Sequence, residues 1–271
     1  MELALDPGAL VLVAGAEALY LRALRVLRGR GVAVPRGQVA LWHLGIALWV
    51  VGFFSPVHTL GEDLLAAHMA QHLLIADLAA PLLLAGARNP VLAFLLPRPA
   101  LVTLARSGRL RRAFRWLRRP LVAVPVYVVV LYGWHLSVFF EAAVRSPFVH
   151  ALQHMSFVAI GVLVWWAALE PKRRRLRGEL WKVPYMIGAR MAGMLLGMGF
   201  VLVRVPIYTG VYAAGDRGHG LTALGDQQTA GAMMVSVDIL IMVFALCFFF
   251  LRASQDADAD DRRREALLTP R

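Results

Sequence analysis

The sequence predicts an all-α, polytopic membrane protein: a seven-transmembrane-helix bundle with its N-terminus outside and its C-terminus in the cytoplasm. Three observations predict it. Of the 271 residues, 59% are hydrophobic and 17% charged; the mean hydropathy is +0.62; and the apolar residues form long runs separated by Pro, Gly and Arg clusters. At roughly 20 apolar residues per span, the length accommodates about seven spans and no sizeable soluble domain. A net charge of +12 would suggest nucleic acid in a soluble chain. In a hydrophobic chain it is first a topology signal, and no nucleic-acid partner is expected.

The apolar runs lie at 9–27, 39–55, 64–86, 121–140, 148–169, 183–203 and 229–251. The N-terminal MELALDPG is acidic where a signal peptide would be basic, so the first run reads as a retained helix, with Glu17, Arg22 and Arg25 near its polar edge. Of the 29 lysines and arginines, all but Arg145, Arg190, Arg204 and Arg217 lie at the end of, or follow, the first, third, fifth and seventh runs. The positive-inside rule then gives the orientation stated above. The longest connection places Leu110, Ala113, Phe114 and Leu117 on one helical face and arginines on the other, which predicts a basic amphipathic helix over about 104–119 in the cytoplasmic interface. Residues 1–252 therefore form the transmembrane domain, and 253–271 are expected as a disordered cytoplasmic tail.

With that orientation every histidine except His43 falls in the outer half or beyond. His68 and His72 open the third run, His135 ends the fourth, and His150 and His154 open the fifth; His58 and His219 fall in external loops. The spacing of four within each pair puts two imidazoles on one helix face, about 5–6 Å apart at Cβ. A lone intramembrane histidine is more often a hydrogen-bonded packing residue, but two pairs and His135 at one depth predict a metal site. Imidazole donors suit copper, zinc, nickel or iron, and the single cysteine, Cys247, lies elsewhere in an apolar run. Met69 and Met155 are possible soft ligands, whereas Met191, Met194 and Met198 make an ordinary packing stripe. Asp226 and Gln227 read either as a helix cap or as acceptors orienting a histidine, with His58 a further possible participant. Asp77, Arg190 and Asp238 are costly in a bilayer, and an ion pair of Arg190 with one of the two aspartates is expected.

Several blocks carry a resemblance: His68-Met69-Ala70-Gln71-His72 with Pro81 and Gly86; Trp134-His135; His150-Ala151-Leu152-Gln153-His154 with Phe157, Gly161 and Trp165-Trp166; and Asp226-Gln227-Gln228 with Ala230-Gly231 and Met233. In order and spacing these resemble the CtaG-type cytochrome c oxidase assembly factors, over about His58 to Phe250. Ser137 and Ser236 depart from that pattern, standing where a Pro, or a Pro or Gly, is expected. The resemblance implies a seven-helix protein of the bacterial cytoplasmic membrane that matures a haem–copper oxidase, with an oxidase subunit as client, a role in copper supply and no catalytic function of its own. Two other readings compete: a b-type cytochrome with bis-histidine haem ligation, and a zinc metallohydrolase with Asp226 as base.

Overall fold

The computed structural model describes residues 7–169, 181–212 and 220–268, and among these every regular element is helical. The helices are α1 (Pro7–Gly29), α2 (Arg36–Phe54), α3 (Pro56–Asp63), α4 (Leu65–His72), α5 (Ala79–Gly86), α6 (Leu92–Leu95), α7 (Arg98–Arg106), α8 (Gly108–Leu117), α9 (Pro120–His135), α10 (Ser137–Arg145), α11 (Pro147–Leu169), α12 (Lys182–Leu202), α13 (Thr209–Tyr212) and α14 (Ala223–Leu268). Among the described residues, Arg36–Phe54, Leu65–Gly86, Pro147–Leu169, Lys182–Leu202 and Ala223–Ala259 are long and apolar enough to cross a membrane. The bent pair α9–α10 supplies a sixth if it counts as one span. α1, expected as the seventh, has the length but carries Glu17, Arg22, Arg25 and Arg28 and is not among them.

Glu17 and Arg22 of α1 find partners on neighbouring segments. Glu17 accepts from Trp42 Nε1 at 2.8 Å and pairs with His43 Nε2 at 3.1 Å. Arg22 donates to the carbonyl oxygens of Phe94 and Leu95. Ala9, Val13, Tyr20, Ala23 and Leu27 form the buried stripe at helical spacing, with Tyr20 stacked on Trp42 at 4.2 Å between centroids. His43 is thereby assigned to this contact.

α11 is the axis of the bundle, packing against α5, α9 and α10, while α12 lies along α14 and also meets α9. Between α4 and α5 the backbone widens into a π-helical turn, Leu73–Leu78. Such a turn displaces carbonyls from the regular ladder. Here Ile75 O accepts from Trp49 Nε1 at 3.0 Å. Gly161 of α11 lies against this turn so closely that a Cβ would stand 2.5 Å from Ala76 O. The glycine is a requirement of helix approach.

Four expectations are corrected. The run 121–140 is not one helix: Leu136 is extended, and α9 and α10 meet at 68°. The break needs no proline, because the carbonyl of His135 that leaves the helix accepts from Tyr208 Oη at 2.8 Å. The segment 104–119 is two helices divided at Ser107, whose hydroxyl accepts from Leu110 N and caps the second. His58 lies on the short helix α3, capped by Ser55, rather than in a loop. Finally, α14 continues to Leu268 through the stretch read as disordered, where Ala, Arg, Glu and Leu favour helix and no Gly or Pro interrupts. His219, Arg217 and the basic run Lys172 to Arg177 lie outside the described residues.

Candidate metal centre

α4 and α11 present their histidine faces to each other. One ring nitrogen from each of His68, His72 and His150 lies within 4.8 Å of the others. The ring centroids of His68 and His72 are 4.4 Å apart and those of His68 and His150 are 5.1 Å apart. His154 flanks the group, 4.1 Å from His150 and 5.3 Å from His72. His58 stacks on His150 from α3 at 5.9 Å, and its Nδ1 accepts from Gln71 Nε2 at 2.9 Å.

The chemistry of this pocket is that of lone pairs held away from water. His68, His72, His135 and His154 are all buried. Among the described residues, His68 Nε2, both ring nitrogens of His72, His135 Nε2 and His154 Nε2 find no hydrogen-bond partner in the protein. Buried polar atoms are normally satisfied, so these nitrogens are available as donors to an ion or to water. A nitrogen-only set without a thiolate fits a divalent transition metal or cuprous ion better than a hard cation.

His135 stands apart. Its Nδ1 donates to Leu131 O at 2.7 Å, which orients Nε2, but its ring neighbours are Phe140, Phe157 and Phe200 rather than another imidazole. Phe140 and Phe157 are also the aromatic walls against His68 and His72. Tyr208, which fixes the His135 carbonyl, is itself stacked on Phe140 at 4.0 Å. Burial pushes its hydroxyl upward from the usual phenol range, keeping it a donor.

Below His72 and His135 a cavity of about 30 Å³ reaches Asp77, Tyr127 and Asp238, with room for a water-sized molecule. The three buried charges meet there. Arg190 Nη1 donates to Asp77 Oδ1 and, at 2.9 Å, to Asp238 Oδ1, and its guanidinium lies 5.4 Å from the centre of the Tyr127 ring. Arg190 thus joins both aspartates rather than one. Gly193 makes room for them: a Cβ there would stand 2.1 Å from Asp238 Oδ2.

The remaining candidates have other tasks. Asp226, at the start of α14, caps α4 across the bundle: Oδ2 accepts from Leu65 N at 2.7 Å and Oδ1 from Ala66 N at 2.9 Å. It therefore orients the histidine helix through its backbone, not through an imidazole. Gln227 binds the turn after α12, accepting from Ile207 N and donating to the carbonyls of Phe200 and Val205. Met69 packs with Leu65, Phe140 and Met234, and Met155 packs against the main core. Gln71 and Gln153, both fully buried beside the histidines, had not been singled out as site residues. Their signal is the repeated spacing His-x-x-Gln-His in both pairs.

Replacing Asp226 by Ala removes both acceptors from the first turn of α4. The expected cost is about 1–2 kcal/mol, as for loss of a helix cap. Because the cap also supports the turn that carries His68 and His72, any metal ion held there is expected to bind roughly 10–100-fold more weakly, as for other supports one step behind a ligand. Thermal denaturation and metal titration of the detergent-solubilised variant measure the two effects; an unchanged affinity separates the cap from the histidines.

The chain matches the sequence profile described as cytochrome c oxidase caa3 assembly factor (Caa3_CtaG) over residues 18–256. Among curated proteins it is 24% identical, over 267 residues, to an uncharacterized protein of Mycobacterium bovis and equally to one of Mycobacterium tuberculosis. Each alignment covers 91% of this chain and 39% of the relative, so the chain spans about two fifths of their length. No solved structure matches it.

Proposed function

The chain belongs to the cytochrome c oxidase caa3 assembly factor family, and from that premise we propose that it holds copper on the histidines of α4 and α11 for delivery to a nascent oxidase subunit. The observation that carries the reading is the group His68, His72 and His150, with nitrogens within 4.8 Å of one another. Among the divalent first-row metals copper is the one that nitrogen sites bind most tightly, and the resemblance implies a haem–copper client. His154 and His58 are supporting residues in this reading, and His135 lies aside. A site that stores and releases an ion needs no catalytic base, which accords with Asp226 being occupied by the α4 backbone.

The proposed setting is a bacterial cytoplasmic membrane crossed seven times, by α1, α2, α4–α5, α9–α10, α11, α12 and α14. The 23 residues of α1 span about 34 Å at 1.5 Å per residue, enough for a hydrocarbon core. The basic connections face the cytoplasm, α8 lies in that interface with Leu110, Phe114 and Trp116 exposed, and the histidines face outward. A fluorescent protein fused after Arg252 is expected to mature in the cytoplasm, and a phosphatase inserted at Ser146 to be active outside. The reverse pair of results places the histidines on the cytoplasmic side and ends the delivery reading.

The metal is tested on purified protein. Elemental analysis after copper loading and dialysis is expected to give about one copper per chain, and cells lacking the chain are expected to make oxidase subunits without copper. Retained zinc in place of copper, or a Soret band in the purified protein, replaces this reading by a hydrolase or a cytochrome respectively.

A further inference from the structure

At the basic end of the bundle, far along α11 from the histidines, the structure holds a cavity of about 510 Å³ that the metal reading does not use. That volume lies in the ordinary range of ligand pockets, about 300–1,000 Å³. Arg88 and Arg118 bring two guanidinium groups to it, Asn89 adds an amide, and Leu84, Trp166 and Leu169 supply apolar wall. We infer that this cavity binds the head group of an anionic phospholipid, with the phosphate between Arg88 and Arg118 and the first part of the acyl chains along Leu84 and Leu169.

The rim is built, not fortuitous. Buried Gln38 of α2 donates from Nε2 to Gly86 O at 2.9 Å and to Arg88 O at 2.7 Å, fixing the turn that presents Arg88 and Asn89. On the other side the Arg118 guanidinium lies 4.9 Å from the centre of the Phe114 ring, and that ring packs edge-on against Trp166 at 5.5 Å. The second arginine is thus tied to both α8 and α11. Guanidinium groups grip phosphate oxygens through two parallel hydrogen bonds, and basic pockets between membrane helices take anionic head groups. The apolar wall argues against a free phosphate or sugar phosphate, which has nothing to place against Trp166, Leu84 and Leu169. A bilayer lipid has both parts. It would also tie the exposed apolar face of α8, with Leu110 and Trp116, to the end of the bundle.

Trp166 makes the site readable. The full chain is placed in nanodiscs of zwitterionic lipid doped with phosphatidylglycerol brominated high on its acyl chains, or with phosphatidylcholine brominated likewise. The signal that Trp166→Phe removes is taken as that of Trp166. Half-maximal quenching is expected at a roughly 25-fold lower mole fraction of the anionic lipid, since each of the two arginines near an anionic head group contributes on the order of a fivefold preference. Arg88→Gln with Arg118→Gln is expected to abolish the preference. Arg118→Lys is expected to keep part of it, and Arg111→Gln with Arg112→Gln to keep all of it. Equal quenching by the two lipids overturns the inference. So does a preference lost equally in the Arg111 and Arg112 variant, which indicates diffuse surface charge, or displacement of the lipid by millimolar glycerol 3-phosphate, which indicates a soluble ligand. None of these outcomes depends on whether the histidines hold copper.

Discussion

Replacing both His68 and His72 by leucine is expected to abolish copper retention while leaving the folded bundle in the membrane. The expected result has two halves, one for the fold and one for the metal. Each substitution fills a similar volume and removes nitrogens that have no partner within the protein: His68 Nε2 and both ring nitrogens of His72. Volume-conserving apolar replacement of such groups costs less than about 1.5 kcal/mol per site and can be neutral. Of the three clustered histidines only His150 then remains. The loss of affinity therefore exceeds the roughly 10–100-fold that follows from disturbing a residue behind a ligand. Size-exclusion chromatography checks the first half and copper content after dialysis checks the second. In cells the client subunit should be made without copper, and added external copper should rescue it partly by mass action. His135→Leu is the contrast, since its ring sits among Phe140, Phe157 and Phe200. If the double variant keeps stoichiometric copper, or if His135→Leu loses it as completely, the three-histidine assignment is wrong.

The convergence of His68, His72 and His150 was legible because a spacing of four has one meaning on a helix and because the apolar pattern around both pairs is unambiguous. The seating of His135 was not. Whether an imidazole turns to a neighbouring helix or back to its own i−4 carbonyl depends on a rotamer, and here Leu131 O takes the Nδ1 hydrogen. The π turn left no mark in the composition, since Leu73–Leu78 is apolar except for Asp77 whichever way its carbonyls point. It becomes visible only in the partner that claims Ile75 O, Trp49. Asp226 reads from the sequence as a cap of the helix it begins, but it caps α4, 161 positions away, and sequence distance hides that. Similarly, an arginine and two aspartates were flagged as mutual partners, but a pair was expected where the structure joins all three.

That difference changes what substitution does. Replacing Arg190 by leucine is expected to be the most destabilising single change in the protein, about 3–5 kcal/mol, because it strips the cation from two carboxylates in the bundle interior. Arg190 is fully buried, with Asp238 nearly so and Asp77 only slightly more exposed. Single removal of Asp77 or Asp238 leaves Arg190 with its other partner. The loss is then of one charged hydrogen bond, on the order of 1–3 kcal/mol. Folded yield and thermal midpoint in detergent should therefore rank Arg190→Leu well below Asp238→Asn and Asp77→Asn. The contrast that isolates charge from shape is the triple variant Arg190→Met, Asp77→Leu, Asp238→Leu. Leucine repeats the branching of aspartate, and a buried ionic cluster replaced by apolar groups of similar volume is commonly as stable as before. Recovery of folded protein with normal copper delivery makes the cluster structural. Recovery of the fold without delivery makes it part of the function, acting on the histidines through the small cavity that His72 and His135 share with Asp77 and Asp238. If Arg190→Leu is no worse than the single aspartate variants, the three-residue electrostatic account fails.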